Sequence, residues 1–200
     1  MKKTTLFRVL TFVLMIGLLS ASCSKHTDKP APTGGGNNGG DNGGGNNGGG
    51  GTPQTATYYV KTKMDGAAAS FSGTVKALRA VDEDGTHILQ IQGIKGNGSA
   101  DEVDLLVYAA ADVVTGDYTE GDHENYAIIG AYAPQNRADD DGIYLAGIQP
   151  DAATPFKISI TEITDKYVKG TFSGAFFDGQ GNGTNKKVFT EGEFKAPIQQ

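Results

Sequence analysis

Residues 55–200 alternate between apolar and polar side chains with a period of two, which is the pattern of a β-strand with one buried face. The segment 156–161 reads FKISIT, so that Phe156, Ile158 and Ile160 share one face. Turn signals such as Asp65-Gly66 separate these runs. No stretch has the 3.6-residue period of an amphipathic helix. The predicted fold class is therefore all-β, an antiparallel β-sandwich or flattened β-barrel of about nine or ten strands.

The alternation places ten strands along the chain, and it leaves sandwich and barrel equally open. The strands are expected near 57–63, 70–80, 87–94, 102–109, 116–119, 125–133, 142–148, 155–163, 166–177 and 187–195. The only helical candidate is a turn around residues 109–113.

Cys23 is the single cysteine of the chain, and it follows three small residues at 20–22. Before these come a basic start and an uncharged apolar run at 9–19, which is too short for a bilayer that needs roughly 20 apolar residues. Residues 20–23 resemble a lipobox, although Leu19 lies four residues before the cysteine. We expect a lipoprotein signal peptide over 1–22 and lipidation of Cys23. The alternative is an ordinary signal peptide cleaved nearby, which would leave a free thiol.

Residues 23–54 are predicted to form a disordered tether between the lipidated cysteine and the β domain. Positions 34–51 are almost entirely glycine and asparagine, which cannot bury enough apolar surface to fold. A coil of about 30 such residues spans roughly 30 Å. No strand precedes the run and no Lys-Ser/Thr pair follows it, which disfavours a phosphate-binding loop. Residues 55–200 are predicted to form one all-β domain.

The charge of this domain limits its partners. From Thr55 onward the chain has 12 Lys and Arg against 21 Asp and Glu, and the whole chain has a formal net charge of −6. An acidic domain without a basic stripe disfavours nucleic acid and anionic lipid headgroups as ligands. Because the domain has no cysteine, neither disulfides nor cysteine catalysis is expected in it.

Four segments are similar to those of one group of small Bacteroidota lipoproteins with a domain of unknown function. They read YYVKTKMDGAAASF at 58–71, VTGDYT at 114–119, KYVKGTFSGAFF at 166–177 and VFTEGEFKAPI at 188–198. The resemblance covers roughly residues 55–198, and it implies an all-β, non-enzymatic lipoprotein of the cell envelope. The tryptophan often found near the family's Asp-Gly turn is replaced here by three alanines at 67–69. The chain has no tryptophan at all, which disfavours a Trp-lined sugar platform.

Clustered carboxylates suggest a possible calcium site. Asp139, Asp140 and Asp141 precede Gly142, and Glu120 and Asp122 could approach them across a hairpin. Calcium takes six to eight oxygen ligands, but neither this loop nor the acidic run at 82–84 has the spacing of a twelve-residue calcium loop. A solvated turn is the alternative. No other cofactor is expected.

Other candidate chemistry is weaker. His123 lies between carboxylates, but only His87 is available as a second histidine of the domain, so a loop histidine is the simpler interpretation. Glu191 and Glu193 are better explained as the polar face of the last strand than as a glycosidase pair. The eight tyrosines could line a ligand surface or pack at the rim of the core.

The predicted function is a membrane-anchored binding or accessory module of the cell envelope, with a glycan or a protein as partner and without enzymatic activity. The alternative is a structural or assembly lipoprotein that contacts envelope proteins. The expected location is the outer membrane. Residues 24–28 lack an acidic run associated with surface export, which favours the periplasmic face over the cell surface.

Overall fold

The computed structural model describes residues 57–96, 99–135, 142–179 and 185–199. Within these ranges the chain forms eleven β-strands and no α-helix, so the predicted all-β fold class is confirmed. The strands are β1 (Tyr59–Met64), β2 (Ala67–Ser70), β3 (Thr74–Val81), β4 (His87–Ile94), β5 (Glu102–Ala109), β6 (Gly116–Thr119), β7 (Tyr126–Ala133), β8 (Tyr144–Ala146), β9 (Lys157–Ile163), β10 (Tyr167–Asp178) and β11 (Lys186–Gln199). Cys23, the signal peptide and the tether lie outside the described residues.

The strands form two layers. Hydrogen bonding joins all eleven strands into one mixed sheet. We call its antiparallel part β2-β1-β11-β10-β9-β6 the six-stranded sheet and its antiparallel part β3-β4-β5-β7-β8 the five-stranded sheet. All neighbours within each layer are antiparallel. β8 pairs with β10 at one border, and the end of β11 pairs in parallel with β3 at the other. The fold is thus a sandwich in its layers and a flattened barrel in its closed hydrogen bonding.

The core between the two sheets is rich in phenylalanine. The fully buried members are Phe71, Phe156, Phe176, Phe189 and Phe194. The ring of Phe176 lies 4.4 Å from that of Phe189 and 5.3 Å from that of Phe156. Gly130 on β7 makes room for this ring, because a Cβ at that position would lie 2.6 Å from it. Since each buried phenylalanine contributes about 1.5–3 kcal/mol, packing stabilises a domain that has no disulfide.

The chain breaks the strand that the sequence predicts over 70–80. β2 ends at Ser70 and β3 begins at Thr74. Between them, Phe71 enters the core and Gly73 donates its N–H to the carbonyl of Ile94 at 2.9 Å. A Cβ on Gly73 would lie 2.4 Å from the Cα of Gly96, so this close crossing requires glycine. β2 itself was not predicted, because its small residues give no alternating pattern.

Residues 109–113 do not form the predicted helical turn. Ala109 is the last residue of β5, and the N–H of Ala110 still donates to the carbonyl of Asn125 at 2.9 Å. Val113 then packs into the core with 4% of its surface exposed. This connection therefore continues the pairing beside β7 and closes one end of the core.

The outer face of the five-stranded sheet is largely buried, although alternation alone predicts one buried face per strand. Gln90, Leu106 and Ile129 stand opposite one another on β4, β5 and β7, away from the core cluster. Their exposed fractions are 7%, 2% and 6%. The three central strands of this sheet are thus buried on both faces.

Candidate functional site: a groove on the six-stranded sheet

A β-bulge in β11 bends the outer face of the six-stranded sheet. Thr190 and Glu191 on β11 together oppose the single residue Ser173 on β10. Glu191 has a φ of 51°, in the left-handed region that costs a residue with a side chain about 1–2 kcal/mol. The next residue, Gly192, packs so closely that a Cβ on it would lie 2.4 Å from the carbonyl oxygen of Phe172. Bulges and strained residues of this kind recur next to functional sites.

The bend leaves an open groove of about 460 Å³ across β9, β10 and β11. Three hydroxyl side chains line it, those of Ser159, Thr171 and Ser173. The pairing register extends this lining into a row of polar residues at one level of the sheet. The row consists of Lys61, Glu193, Thr171, Ser159 and Asp117. It crosses five strands, which at about 4.8 Å between strands is roughly 19 Å.

At the β6 end of the groove, Asp117 is held by two partners. Lys157 Nζ lies 2.8 Å from its Oδ2, and Ser159 Oγ donates to its Oδ1 at 2.6 Å. The hydrogen bonds from Lys157 and Ser159 hold the pKa of the Asp117 carboxyl below its usual value. This carboxylate is therefore ionised, exposed and already oriented.

At the β1 end, two exposed ion pairs hold the glutamates of β11. Lys61 Nζ lies 3.0 Å from Glu193 Oε2, and Lys63 Nζ lies 2.7 Å from Glu191 Oε1. The hydrogen bond and the charge of Glu193 raise the pKa of Lys61. With Lys157 and Asp117 at the other end, three ion pairs stand in and beside the groove, and each of their carboxylates has an ammonium partner.

Two half-buried tyrosines lie near the same face. Lys61 Nζ is 5.2 Å from the ring centroid of Tyr59, and Lys195 Nζ is 4.5 Å from that of Tyr167. The Tyr167 hydroxyl donates to Glu162, and this bond raises the pKa of Tyr167. The two lysines thus lie near the aromatic ring faces of Tyr59 and Tyr167, which could also stack on a sugar ring.

A second polar cluster lies on the outer face of the five-stranded sheet. Gln90 Nε2 donates to Asp104 Oδ1 at 2.8 Å, and Gln92 Nε2 donates to Glu102. Burial, followed by the charge of Glu102, raises the pKa of the half-buried Asp104 carboxyl. We name these four residues the amide–carboxyl cluster.

The predicted calcium ligands are only partly described. Asp139, Asp140 and Asp141 lie outside the described residues. Glu120 Oε1 accepts the N–H of Asp151 at 2.9 Å, which fixes the loop before β9, and Asp122 is exposed. In the ranges that the structure describes, no group of three or more His, Cys, Asp or Glu side chains is arranged to hold a metal ion. Calcium binding at the 139–141 loop stays a prediction.

The two histidines of the domain have separate partners. His123 stacks on Tyr126 with 4.2 Å between ring centroids, and its Nε2 lies 3.3 Å from Thr119 Oγ1. His87 Nδ1 lies 2.8 Å from Asp112 Oδ1, beside a smaller cavity of about 230 Å³. These contacts agree with structural roles for both side chains.

The comparisons with known proteins leave the family open. No family model, curated protein or solved structure matches this chain. The resemblance to small Bacteroidota lipoproteins therefore stays a prediction. Over the described residues, the chain has no helix of the length and hydrophobicity needed to cross a bilayer.

Sequence reasoning missed the groove because its residues are far apart along the chain. Asp117, Ser159 and Thr171 meet only through the pairing of β6, β9 and β10. Each is an ordinary polar residue of an alternating strand. The one local signal is Glu191-Gly192, where a glycine interrupts the alternation of the last strand.

Proposed function

We propose that this chain is a lipid-anchored envelope protein whose β domain binds a glycan in the groove of the six-stranded sheet without turning it over. The observation that carries the proposal is the row of hydroxyls and ion-paired side chains that crosses five strands. A glycan presents many hydroxyl groups, each able to donate and to accept a hydrogen bond. Hydroxyls and ion-paired side chains offer both kinds of partner without placing an unpaired charge against the sugar.

The carboxyls of the groove support binding rather than hydrolysis. Glycoside hydrolysis needs one carboxyl whose pKa is raised, so that it can donate a proton. The pKa of Asp117 is lowered by Lys157 and Ser159 instead. Glu191 and Glu193 each form an ion pair with a lysine of β1.

The anchor part of the proposal rests on Cys23 and the tether. Acyl chains on Cys23 would hold the protein to the outer membrane, and the Gly/Asn segment would let the domain stand off its surface. We place the domain on the periplasmic side. Protease treatment of intact cells tests this placement, since loss of the domain from whole cells would assign it to the cell surface.

A glycan panel tests the binding part. The full chain, purified in detergent, is screened by thermal unfolding against neutral, acidic and amino-sugar oligosaccharides. A glycan at 100 times its dissociation constant adds about 2.7 kcal/mol, which appears as a rise in Tm of several degrees. Thr171→Ala and Ser159→Ala should reduce this rise. Thr74→Ala, an exposed strand threonine of the other sheet, is the matched control and should leave it unchanged.

A second function, contact with an envelope protein, is favoured by an exposed apolar side chain on the outer face of the five-stranded sheet. Leu78 has 40% of its surface exposed, at the β3 end of a row that continues through Gln90 to the buried Leu106. Crosslinking in intact envelopes tests it. A crosslinked partner that is lost with Leu78→Ser and kept with Thr171→Ala would favour this function over glycan binding.

A further inference from the structure

Two lysines stand directly opposite each other beside the groove. Lys169 on β10 is paired with Lys195 on β11. Both side chains lie on the outer face of the six-stranded sheet, because the neighbouring residues Val168 and Phe194 lie in the core. Like charges in directly opposite positions of a sheet destabilise it. The stability of the fold therefore gives no reason for this pair.

The two ammonium groups have no carboxylate partner among the described residues, since the ion pairs of this part of the chain include neither Lys169 nor Lys195. Glu162 stands next to Lys169 in the pairing register, but its carboxylate accepts the hydrogen bond of the Tyr167 hydroxyl. The chain as a whole carries more Asp and Glu than Lys and Arg. This lysine pair is thus a local excess of positive charge on an acidic domain.

Two aromatic rings and the groove adjoin the lysine pair. Tyr59 is paired with Lys195 on the side away from β10, and Lys195 Nζ lies 4.5 Å from the ring centroid of Tyr167. Lys169 lies two residues before Thr171, which lines the groove, and two residues of a strand span about 7 Å. A ligand in the groove can therefore reach both the positive charges and the ring faces.

We propose that the glycan bound in the groove is acidic, and that Lys169 and Lys195 together hold its carboxylate, sulfate or phosphate group. This inference rests on the proposed function and names the substrate class. The two ammonium groups donate charge-assisted hydrogen bonds to the anion, and the anion removes the repulsion between them. The ring of Tyr59 stacks on the sugar that carries the acidic group.

Calorimetric titration of the full chain, purified in detergent, tests the proposal with matched pairs of oligosaccharides. One pair is an oligouronate and its carboxyl-reduced, neutral form, and the other is a sulfated oligosaccharide and its desulfated form. We expect the acidic member of at least one pair to bind about five- to thirtyfold more tightly at low salt, which is the gain expected from two exposed charge pairs. This advantage should shrink at high salt, because salt screens exposed charges.

Charge-removing variants locate the group that recognises the anion. Lys169→Gln and Lys195→Gln should each reduce the advantage, and the double variant should abolish it, while the unliganded protein keeps its stability because the like-charge contact is gone. Glu162→Gln removes a nearby negative charge and should strengthen binding of the acidic member. Lys76→Gln, on the outer face of the other sheet, is the matched control and should leave the advantage unchanged.

The outcomes separate this inference from the proposed function. Neutral members that bind as tightly as the acidic ones would overturn the inference and leave the proposed function standing. An acidic preference that survives in the double variant would also overturn it, because another group would then recognise the charge. Inorganic phosphate that binds as tightly as the acidic glycan, and is unaffected by Thr171→Ala, would assign the lysines to a free anion instead. If no oligosaccharide binds, the proposed function and this inference both fail.

Discussion

The outer faces of the two sheets differ in polarity and in burial. On the six-stranded sheet, exposed ion pairs such as Lys61–Glu193 and the hydroxyl of Thr171 stand beside a bulge. On the five-stranded sheet, the corresponding central positions hold Leu106 and Ile129, which are buried. The difference indicates that one face is suited to a polar ligand and the other to packing. Both faces belong to strands that alternate in the sequence, so alternation alone does not reveal which face is which.

The largest expected effect on the free energy of unfolding comes from shortening one central side chain on the five-stranded sheet, compared with one on the six-stranded sheet. Leu106→Ala should lower the free energy of unfolding by about 2–5 kcal/mol, because it leaves a cavity at a site that is 2% exposed. Thr171→Ala, on the exposed face, should change it by less than about 0.5 kcal/mol. Urea unfolding of both variants measures the contrast. Equal costs would show that the two faces do not differ in packing.

The bulge should make the six-stranded sheet sensitive to substitution even beside its exposed groove. Gly192→Ala should cost about 1–3 kcal/mol, because its Cβ would lie 2.4 Å from a backbone oxygen and force the strand to move. Gly179→Ala is the milder comparison and should cost less, since its Cβ would lie 3.1 Å from the nearest backbone oxygen. Thermal unfolding measures both, and a harmless Gly192→Ala would contradict the close packing of β10 and β11.

The two faces should also differ in the sign of their pH dependence. The raised pKa of Asp104 means that the folded protein keeps a proton which the unfolded chain loses above about pH 4. In EDTA, stability should therefore fall as pH rises from about 4 to the raised pKa, by at most about 1.4 kcal/mol per pH unit. Asp104→Asn should flatten this slope.

The titration of Asp117, on the exposed face, should make stability change with pH in the opposite direction. Its lowered pKa contributes stability above its usual pKa, and this contribution is lost as pH falls through the lowered value. Urea unfolding over a pH series, on the original chain, Asp104→Asn and Asp117→Asn, separates the two carboxyls. A slope unchanged in Asp104→Asn would place the proton elsewhere.

The smallest expected effect is that of an exposed ion pair. Glu193→Gln should change the free energy of unfolding by less than about 1 kcal/mol, and the change should shrink with added salt, because Lys61 and Glu193 are both about half exposed. Thermal unfolding at low and high salt measures it. A large, salt-independent loss would mean that this face contributes to packing after all.

Sequence patterns predicted most strands and several turns for local reasons. Asp65-Gly66 indicates a two-residue hairpin turn, and both residues adopt positive φ, 51° and 81°, as such a turn requires. Ten of the eleven strands correspond to predicted runs, and the exception is β2. The chain crosses between β2 and β3 where Gly73 meets Gly96. These features depend on neighbours in the chain.

The features that sequence patterns missed depend on pairing between distant strands. Gln92 looks like a solvated residue until β5 places Asp104 opposite it and its side chain is buried. Glu191 is an unusual residue for a left-handed backbone, so the only local mark of the bulge is the glycine that follows it. The groove follows from that bulge, so the sequence pattern did not predict it either.

Hydrogen exchange of the full chain, with and without the glycan that gives the largest rise in Tm, tests the central claim most directly. The account predicts added protection in β9, β10 and β11 around the groove, and unchanged exchange in β4, β5 and β7. Protection confined to the five-stranded sheet, or a panel in which no glycan binds, would contradict the assignment of the groove as the binding site.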